Sequence, residues 1–218
     1  MATSPEPSDR SRERQRVYPP PDQPSERSRE RQRVDPVPDQ RVDKGKLPRL
    51  APEHYRAHAF VHWTLTIEAR ATGWLTPAFH HAWQLTLLHA SARYSLACPA
   101  YVLMPDHAHL LLLGLRDDSD QRLAIEFLRK HLRPALAPHD WQKQAHDHVL
   151  RDTEREHGAF QTIAHYILEN PIRADLCAHA SDYAHTGCCV PGYPELAVHS
   201  DDYWPRFWRL YNHLVSKP

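Results

Sequence analysis

Apolar and polar positions follow two different periods along the chain, and these predict strands and helices in turn. Residues 59–67 (AFVHWTLTI) are rich in β-branched and aromatic side chains, which is typical of a strand. Residues 76–92 carry apolar side chains at steps of three and four, which predicts an amphipathic helix. Thr76 is suited to cap this helix and Pro77 to open it, because a first helical residue needs no amide hydrogen.

A β-hairpin is predicted next, over residues 94–104 and 107–114. Only Pro105 and Asp106 separate the two apolar segments, and so short a connection favours antiparallel strands. Pro99 cannot donate a hydrogen bond to a neighbouring strand, which predicts a bulge or an edge position in the first strand of the hairpin.

The second half of the chain continues with a helix over 121–136, a strand over 141–150 and a helix over 153–170. A turn-rich loop containing TGCCVPGYP follows, and a last helix begins at Trp204. The first of these helices is predicted to bury one side, formed by Ala124, Phe127, Leu128 and His131. The order strand, helix, hairpin, helix, strand, helix indicates an α+β fold with helices packed on a central antiparallel sheet.

The N-terminal residues 1–50 differ from the rest of the chain in composition. SDRSRERQRVYPPPDQ recurs almost unchanged 17 residues later as SERSRERQRVDPVPDQ, and large apolar side chains are rare. Such a segment buries too little surface to offset the entropy of ordering, so we interpret 1–50 as a disordered Arg/Pro-rich tail and 51–218 as one domain. The arginines of the tail either remain solvated between acidic neighbours or contact nucleic-acid backbone.

The overall composition restricts the classes of function. The chain has 218 residues with 27 basic and 27 acidic side chains, so a nucleic-acid partner requires a local basic patch. Its four cysteines have no C-x-x-C spacing, which favours a reducing, cytoplasmic setting. We also expect no membrane segment, because no apolar stretch approaches a spanning length.

Two histidines stand out inside the second strand of the hairpin. His107 and His109 are two residues apart, so in a strand both imidazoles project from the same face. The pair is either half of a metal site or a hydrogen-bonded pair in a histidine-rich chain. His54, His58 and His62 recur at helical spacing, but their segment is predicted to be largely extended, and we interpret them as ordinary histidines.

One tyrosine is placed differently from a core residue. Tyr166 lies about 120° from the centre of the apolar stripe of helix 153–170, which leaves its hydroxyl available. Asn170 follows one turn later on the same side and is predicted to end the helix before Pro171.

The strand that contains His107 and His109 and the helix that contains Tyr166 both resemble signatures of a known family. MPDHAHLLL (104–112) resembles the signature strand of the single-tyrosine HUH transposases, in particular the REP-associated tyrosine transposases, whose usual form is MPNHVHLLL. HYILENPIRADL (165–176) contains Tyr-x-x-x-Asn-Pro, the second signature of that family, in the expected order. The chain departs from the usual pattern at Asp106 and Ala108, and DYAHTGCC stands in place of the usual tryptophan–serine–serine sequence.

The resemblance implies a ferredoxin-like HUH transposase fold and a transposase-like activity on single-stranded or hairpin DNA. It implies that Tyr166 is the nucleophile of a 5′-phosphotyrosine intermediate, and that Asn170 joins His107 and His109 around a divalent ion, magnesium or manganese. The alternatives are a DNA-binding protein that has lost cleavage, and a metalloprotein unrelated to nucleic acid. The chain acts as a monomer or as a homodimer.

Basic residues are the remaining candidates for DNA contact. Helix 121–136 is predicted to expose its basic side chains away from the core, where they either follow phosphates or form a solvated face. The candidates are Arg122, Arg129, Lys130, Arg133 and Arg173.

Overall fold

The computed structural model describes residues 49–151, 153–154 and 158–216, and a five-stranded antiparallel sheet runs through them. The predicted disordered tail lies outside the described residues except for its last two positions. The strands, in the spatial order β4-β1-β3-β2-β5, are β1 Phe60–Thr66, β2 Leu96–Met104, β3 His107–Gly114, β4 His146–Val149 and β5 Thr186–Cys189.

Within the described part of the chain, five helices with defined bounds accompany the sheet, together with three short 3-10 turns. The helices are α1 Pro77–Arg93, α2 Gln121–Leu136, α3 Ala159–Leu168, α4 Asn170–Arg173 and α5 Tyr203–Val215. The first begins as predicted, because the Thr76 hydroxyl accepts a hydrogen bond of 3.1 Å from the Phe79 amide and Pro77 occupies the first turn.

Helices cover both faces of the sheet. On one face, α1 and α2 pack over the odd-numbered residues of β1, such as Trp63 and Leu65. On the other face, α3 and α5 pack over Phe60, Leu111 and Leu113. The predicted α+β fold with a central antiparallel sheet is therefore confirmed.

The histidine-bearing strand β3 occupies the centre of the sheet. It pairs with β1 on one side and with β2 on the other, so its backbone is hydrogen-bonded along both edges. The β2 ladder shifts register between Ala97 and Ala100, which is the bulge that Pro99 predicts. At the far end of β3, Gly114 lies so close to the Ala57 carbonyl that a side chain there would overlap it.

Several predicted elements need correction. Residues 186–189 form the edge strand β5 and are not only a loop, because β2 supplies their ladder partners. The strand predicted over 141–150 is confined to β4. The helix predicted to end at Asn170 ends at Leu168, and Asn170 instead begins the short helix α4, where Pro171 is tolerated in the first turn.

The buried side of α2 also differs from the predicted one. His131 is exposed and stacks on the partly buried Phe127, with ring centroids 3.9 Å apart. The core contact is made by Ala124, Ile125, Leu128, Leu132 and Leu136. Among the residues that the structure describes, no helix is long and apolar enough to cross a bilayer.

Candidate active site

Strand β3 presents His107 and His109 side by side to the face covered by α3. His109 lies directly across from Thr64 of β1 and Val102 of β2, and His107 lies across from Thr66 and Met104. Their Nε2 atoms are 3.0 Å apart and their ring centroids 4.6 Å apart. The strand period thus places both imidazoles as the sequence predicts.

Asp106 holds the ring of His107 in place. One carboxylate oxygen lies 2.5 Å from His107 Nδ1, and the other accepts a hydrogen bond of 2.7 Å from Arg70. The side-chain bonds to His107 and Arg70 keep the pKa of Asp106 below its usual value despite its partial burial. A carboxylate on Nδ1 directs the lone pair of Nε2 toward His109, as it does for many metal-binding histidines.

His109 is buried and is oriented by β1. Its Nδ1 lies 3.0 Å from the Thr64 hydroxyl and 3.1 Å from Nε2 of His62. Burial lowers the pKa of His109 to about 3, and the nearby His62, His107 and Arg173 act in the same direction. Burial, together with His148, lowers the pKa of His62 to about 4. Both rings are therefore neutral at pH 7, the form that binds metal ions.

His62 is the site residue that sequence reasoning missed. The sequence predicts an ordinary histidine at this position, yet the ring centroid of His62 lies 5.0 Å from that of His109 and 6.1 Å from that of Tyr166. The one sequence signal that could have identified it is its alternation with Thr64 on one face of β1. That signal is useful only once the pairing of Thr64 with His109 is known.

Helix α3 places Tyr166 over the histidines. Its ring centroid is 5.5 Å from that of His109, and 42% of the residue is exposed. The buried residues of the same helix are Phe160, Ala164, Ile167 and Leu168. Tyr166 therefore lies at the boundary of the core, as its position on the helical wheel predicts.

The Arg173 side chain folds back from α4 onto Tyr166. Its guanidinium carbon is 4.4 Å from the centre of the phenol ring, and it donates a hydrogen bond to the Tyr166 carbonyl. Its partner carboxylate is that of Glu169, 3.7 Å away. Arg173 is thus separate from the other predicted DNA-contact residues and belongs to the histidine–tyrosine cluster.

Two other tyrosines, Tyr101 and Tyr183, are unsuitable as nucleophiles. Burial raises the pKa of Tyr183 to about 12, and its hydroxyl donates to the Leu103 carbonyl. Burial also raises the pKa of Tyr101, which packs within the core on the opposite sheet face, 3.0 Å from Nε2 of His80.

Asn170 is adjacent to this cluster along the chain, but no hydrogen bond joins it to the histidines. Its side-chain Nδ2 atom is buried without a hydrogen-bond partner in the described part of the chain.

The histidine pair fits a divalent ion. The 3.0 Å between the Nε2 atoms is the length of a hydrogen bond between the two rings, and it is also the separation of two nitrogens that each lie about 2.1 Å from one ion at a right angle. The described residues contain no group of three or more His, Cys, Asp or Glu side chains placed to hold an ion. Two imidazole nitrogens are donors better suited to manganese or zinc than to magnesium.

The other basic candidates share one location. Arg122, Arg129, Lys130 and Arg133 of α2 line a single groove of about 910 Å³. This groove runs along the helix that packs on the sheet face opposite Tyr166.

Comparisons with known proteins agree with the fold. No protein-family model matches the chain, and no curated protein is detectably similar to it in sequence. One similar solved structure is that of a REP-associated tyrosine transposase bound to a REP hairpin. It superposes with a TM-score of 0.55 at 18% identity, over 65% of this chain and 81% of that one. At 18% identity this likeness establishes the fold, and it confirms the family resemblance as far as the fold is concerned.

Proposed function

We propose that the chain is a metal-dependent, transposase-like enzyme that cleaves and rejoins single-stranded DNA, with hairpin or palindromic repeat DNA as its substrate. The observation that carries the proposal is the edge-to-face contact between the half-exposed Tyr166 ring and His109, beside a second histidine whose ring is held by a carboxylate. The solved structure of similar fold, which contains a REP hairpin, supports DNA as the partner.

Tyr166 acts as the nucleophile in this proposal. Its hydroxyl oxygen loses a proton to solvent and forms a bond to phosphorus, and the bond from phosphorus to the 3′-oxygen breaks. The products are a 5′-phosphotyrosine and a 3′-hydroxyl, which takes up a proton from solvent. Because the adduct keeps the energy of the broken phosphodiester, a second 3′-hydroxyl can reverse the step, and the reaction is a strand transfer.

Arg173 lies over the ring of Tyr166, with its guanidinium carbon 4.4 Å from the ring centre. In the proposed reaction this guanidinium attracts the phosphate that Tyr166 attacks and stabilises the negative charge that develops there.

His107 and His109 would hold the divalent ion through their Nε2 atoms, with the amide oxygen of Asn170 as the third ligand. When bound, such an ion neutralises phosphate charge and polarises the phosphorus. Asp106 and His62 are positioning residues, because each contacts the nitrogen of a ligand imidazole that faces away from the ion.

A denaturing gel tests this function. The full chain is incubated with a labelled single-stranded hairpin oligonucleotide and Mn²⁺, and we expect a covalent protein–DNA band that EDTA prevents. A DNA-binding protein that has lost cleavage would retain the oligonucleotide on a native gel and give no covalent band. A metalloprotein unrelated to nucleic acid would give neither.

A further inference from the structure

Helix α1 is apolar on two opposite sides. Its buried side packs over the sheet through Phe79, Trp83 and Leu87. At 100° per residue a second set of side chains points the other way, and every member of this set is exposed. This outer seam consists of Ala78, His81, Leu85, Leu88 and Ala92. A helix that packs on a core with one side normally carries charged and polar residues on the other.

The centre of the outer seam is its most hydrophobic part. Leu85 is 48% exposed, and Leu88, one turn later, is 39% exposed. Single exposed leucines are common on protein surfaces, but two on adjacent turns of one helix form a continuous patch. The seam residues recur at alternating steps of three and four, which is the spacing at which two helices pack side by side.

Charged side chains are almost absent from α1. Its 17 residues include no Asp, Glu or Lys, and Arg93 in the last turn is its one Arg. Phosphate backbones and anionic membranes attract helices that have Lys and Arg beside the contact face. The arginine-rich residues 1–48 are likewise unsuited to cover an uncharged surface. The outer seam therefore suits another uncharged, apolar protein surface.

The outer seam is complementary to itself. When two copies of α1 lie antiparallel about a two-fold axis midway between Leu85 and Leu88, each Leu85 faces Leu88 of the other copy. The same axis places the larger His81 opposite the small Ala92, so that large and small side chains alternate across the contact. It also keeps the two Arg93 side chains about 20 Å apart along the helix axis. A parallel pair would place large against large and bring both Arg93 charges to the same height.

We infer that the outer seam of α1 is a homodimer contact, in which the helices of two copies pack antiparallel around Leu85 and Leu88. Helix α1 lies in the helix layer opposite α3, so the contact leaves the layer that carries Tyr166 uncovered in both copies. One helix pair is a small interface, and we expect an affinity in the micromolar range. The inference does not rest on the proposed function.

Sedimentation velocity of the full chain over a range of protein concentrations tests the contact. We expect the wild type to shift from monomer to dimer as its concentration rises through the micromolar range. Leu85→Glu/Leu88→Glu should remain monomeric throughout, because the two-fold axis sets each new carboxylate against another. Both leucines are exposed and Glu is a good helix former, so circular dichroism and the melting temperature should stay near wild type.

The matched control is Leu123→Glu/Leu176→Glu, which replaces two similarly exposed leucines outside α1. This control should dimerise as the wild type does. A wild type that stays monomeric at every concentration, or a control that loses dimerisation as the α1 variant does, would overturn the inference. If the wild type forms no covalent adduct with hairpin DNA, the proposed function fails while sedimentation still decides the dimer contact.

A mixture of two single variants tests the antiparallel arrangement. Leu85→Glu and Leu88→Lys should each dimerise poorly alone, because each sets a charge against a leucine. In the mixture an antiparallel pair joins the new carboxylate of one copy to the new ammonium of the other and keeps one leucine pair, so dimers should return. A mixture no more dimeric than its components would contradict the antiparallel contact.

Discussion

His107 and His109 are the residues on which the metal proposal depends. Each supplies one Nε2 atom, and the two atoms are 3.0 Å apart. Replacing either histidine by alanine should abolish binding of Mn²⁺, because one imidazole alone is a weak site. Asn170→Ala should weaken binding less, because a neutral amide is the poorest ligand of the three. Calorimetric titration measures these affinities, and an unchanged affinity in the double-histidine variant would refute the site.

Arg173 gives a second prediction at the same scale. Arg173→Gln should slow adduct formation by about 100-fold, a loss typical of removing one group that stabilises transition-state charge. Hairpin binding should change only a few-fold. Arg206→Gln is the matched control, because Arg206 also pairs with a carboxylate four residues away at 3.7 Å. Single-turnover rates decide the question, and equal rates in the two variants would show that Arg173 has no special role.

The sequence predicts some of these residues and not others for a physical reason. The shared face of His107 and His109 and the boundary position of Tyr166 follow from periodicity within one element, and their proposed roles follow from the family resemblance. The contact between His62 and His109 depends on the register between β1 and β3, which are 47 residues apart at these positions. Register is set by the packing of whole strands, so no local pattern around His62 reveals it.

Secondary-structure elements show the same distinction between local sequence signals and pairing with distant strands. Helix α1 has a strong local signal in its Thr76 cap and Pro77, and the hairpin has one in its two apolar runs. Both elements are found as predicted. The edge strand β5 contains Gly187 and two cysteines and becomes a strand through pairing with β2. Tertiary pairing overrides weak local preference there.

The contact between α1 and β2 makes stability depend on pH. Burial, with His185 nearby, lowers the pKa of His80 to about 4. The unfolded chain takes up a proton at this histidine near pH 6.5, while the folded chain resists protonation until about pH 4. The unfolded state therefore binds more protons in this window, and the free energy of unfolding should fall as pH decreases from 6.5 to 4.

Urea denaturation at pH 7, 6 and 5 checks this prediction. In His80→Gln, the free energy of unfolding should fall less between pH 7 and pH 5 than in the wild type, because one of the titrating groups is removed. The amide can still hydrogen-bond to the Tyr101 hydroxyl, so the fold should persist. The same pH dependence in both proteins would contradict the assignment to His80.

At the scale of the whole molecule, the sheet separates two surfaces. The histidines lie on one face, under the helix α3 that carries Tyr166, and the basic groove follows α2 on the other face. The neutral overall charge of the chain conceals this arrangement, because seven cations of the folded part converge on one groove. Composition alone could not have revealed it.

The N-terminal tail supplies a further prediction at this scale. Deleting residues 1–48 should leave the melting temperature of the chain unchanged, because their Arg/Pro-rich sequence has few large apolar side chains to add to a core. Differential scanning calorimetry of the truncated and full chains compares the two. A large drop in melting temperature would show that the tail contributes to the packed domain.

The central claim is that Tyr166 forms the covalent bond to DNA, and one gel tests it directly. Wild type, Tyr166→Phe and the control Tyr183→Phe are each incubated with labelled single-stranded hairpin DNA and Mn²⁺, then separated under denaturing conditions. Tyr166→Phe removes one oxygen and keeps the ring against His109, so folding, ion binding and hairpin retention should persist. The account predicts a covalent band for the wild type and for Tyr183→Phe, and none for Tyr166→Phe. A covalent band of undiminished intensity in Tyr166→Phe would contradict it.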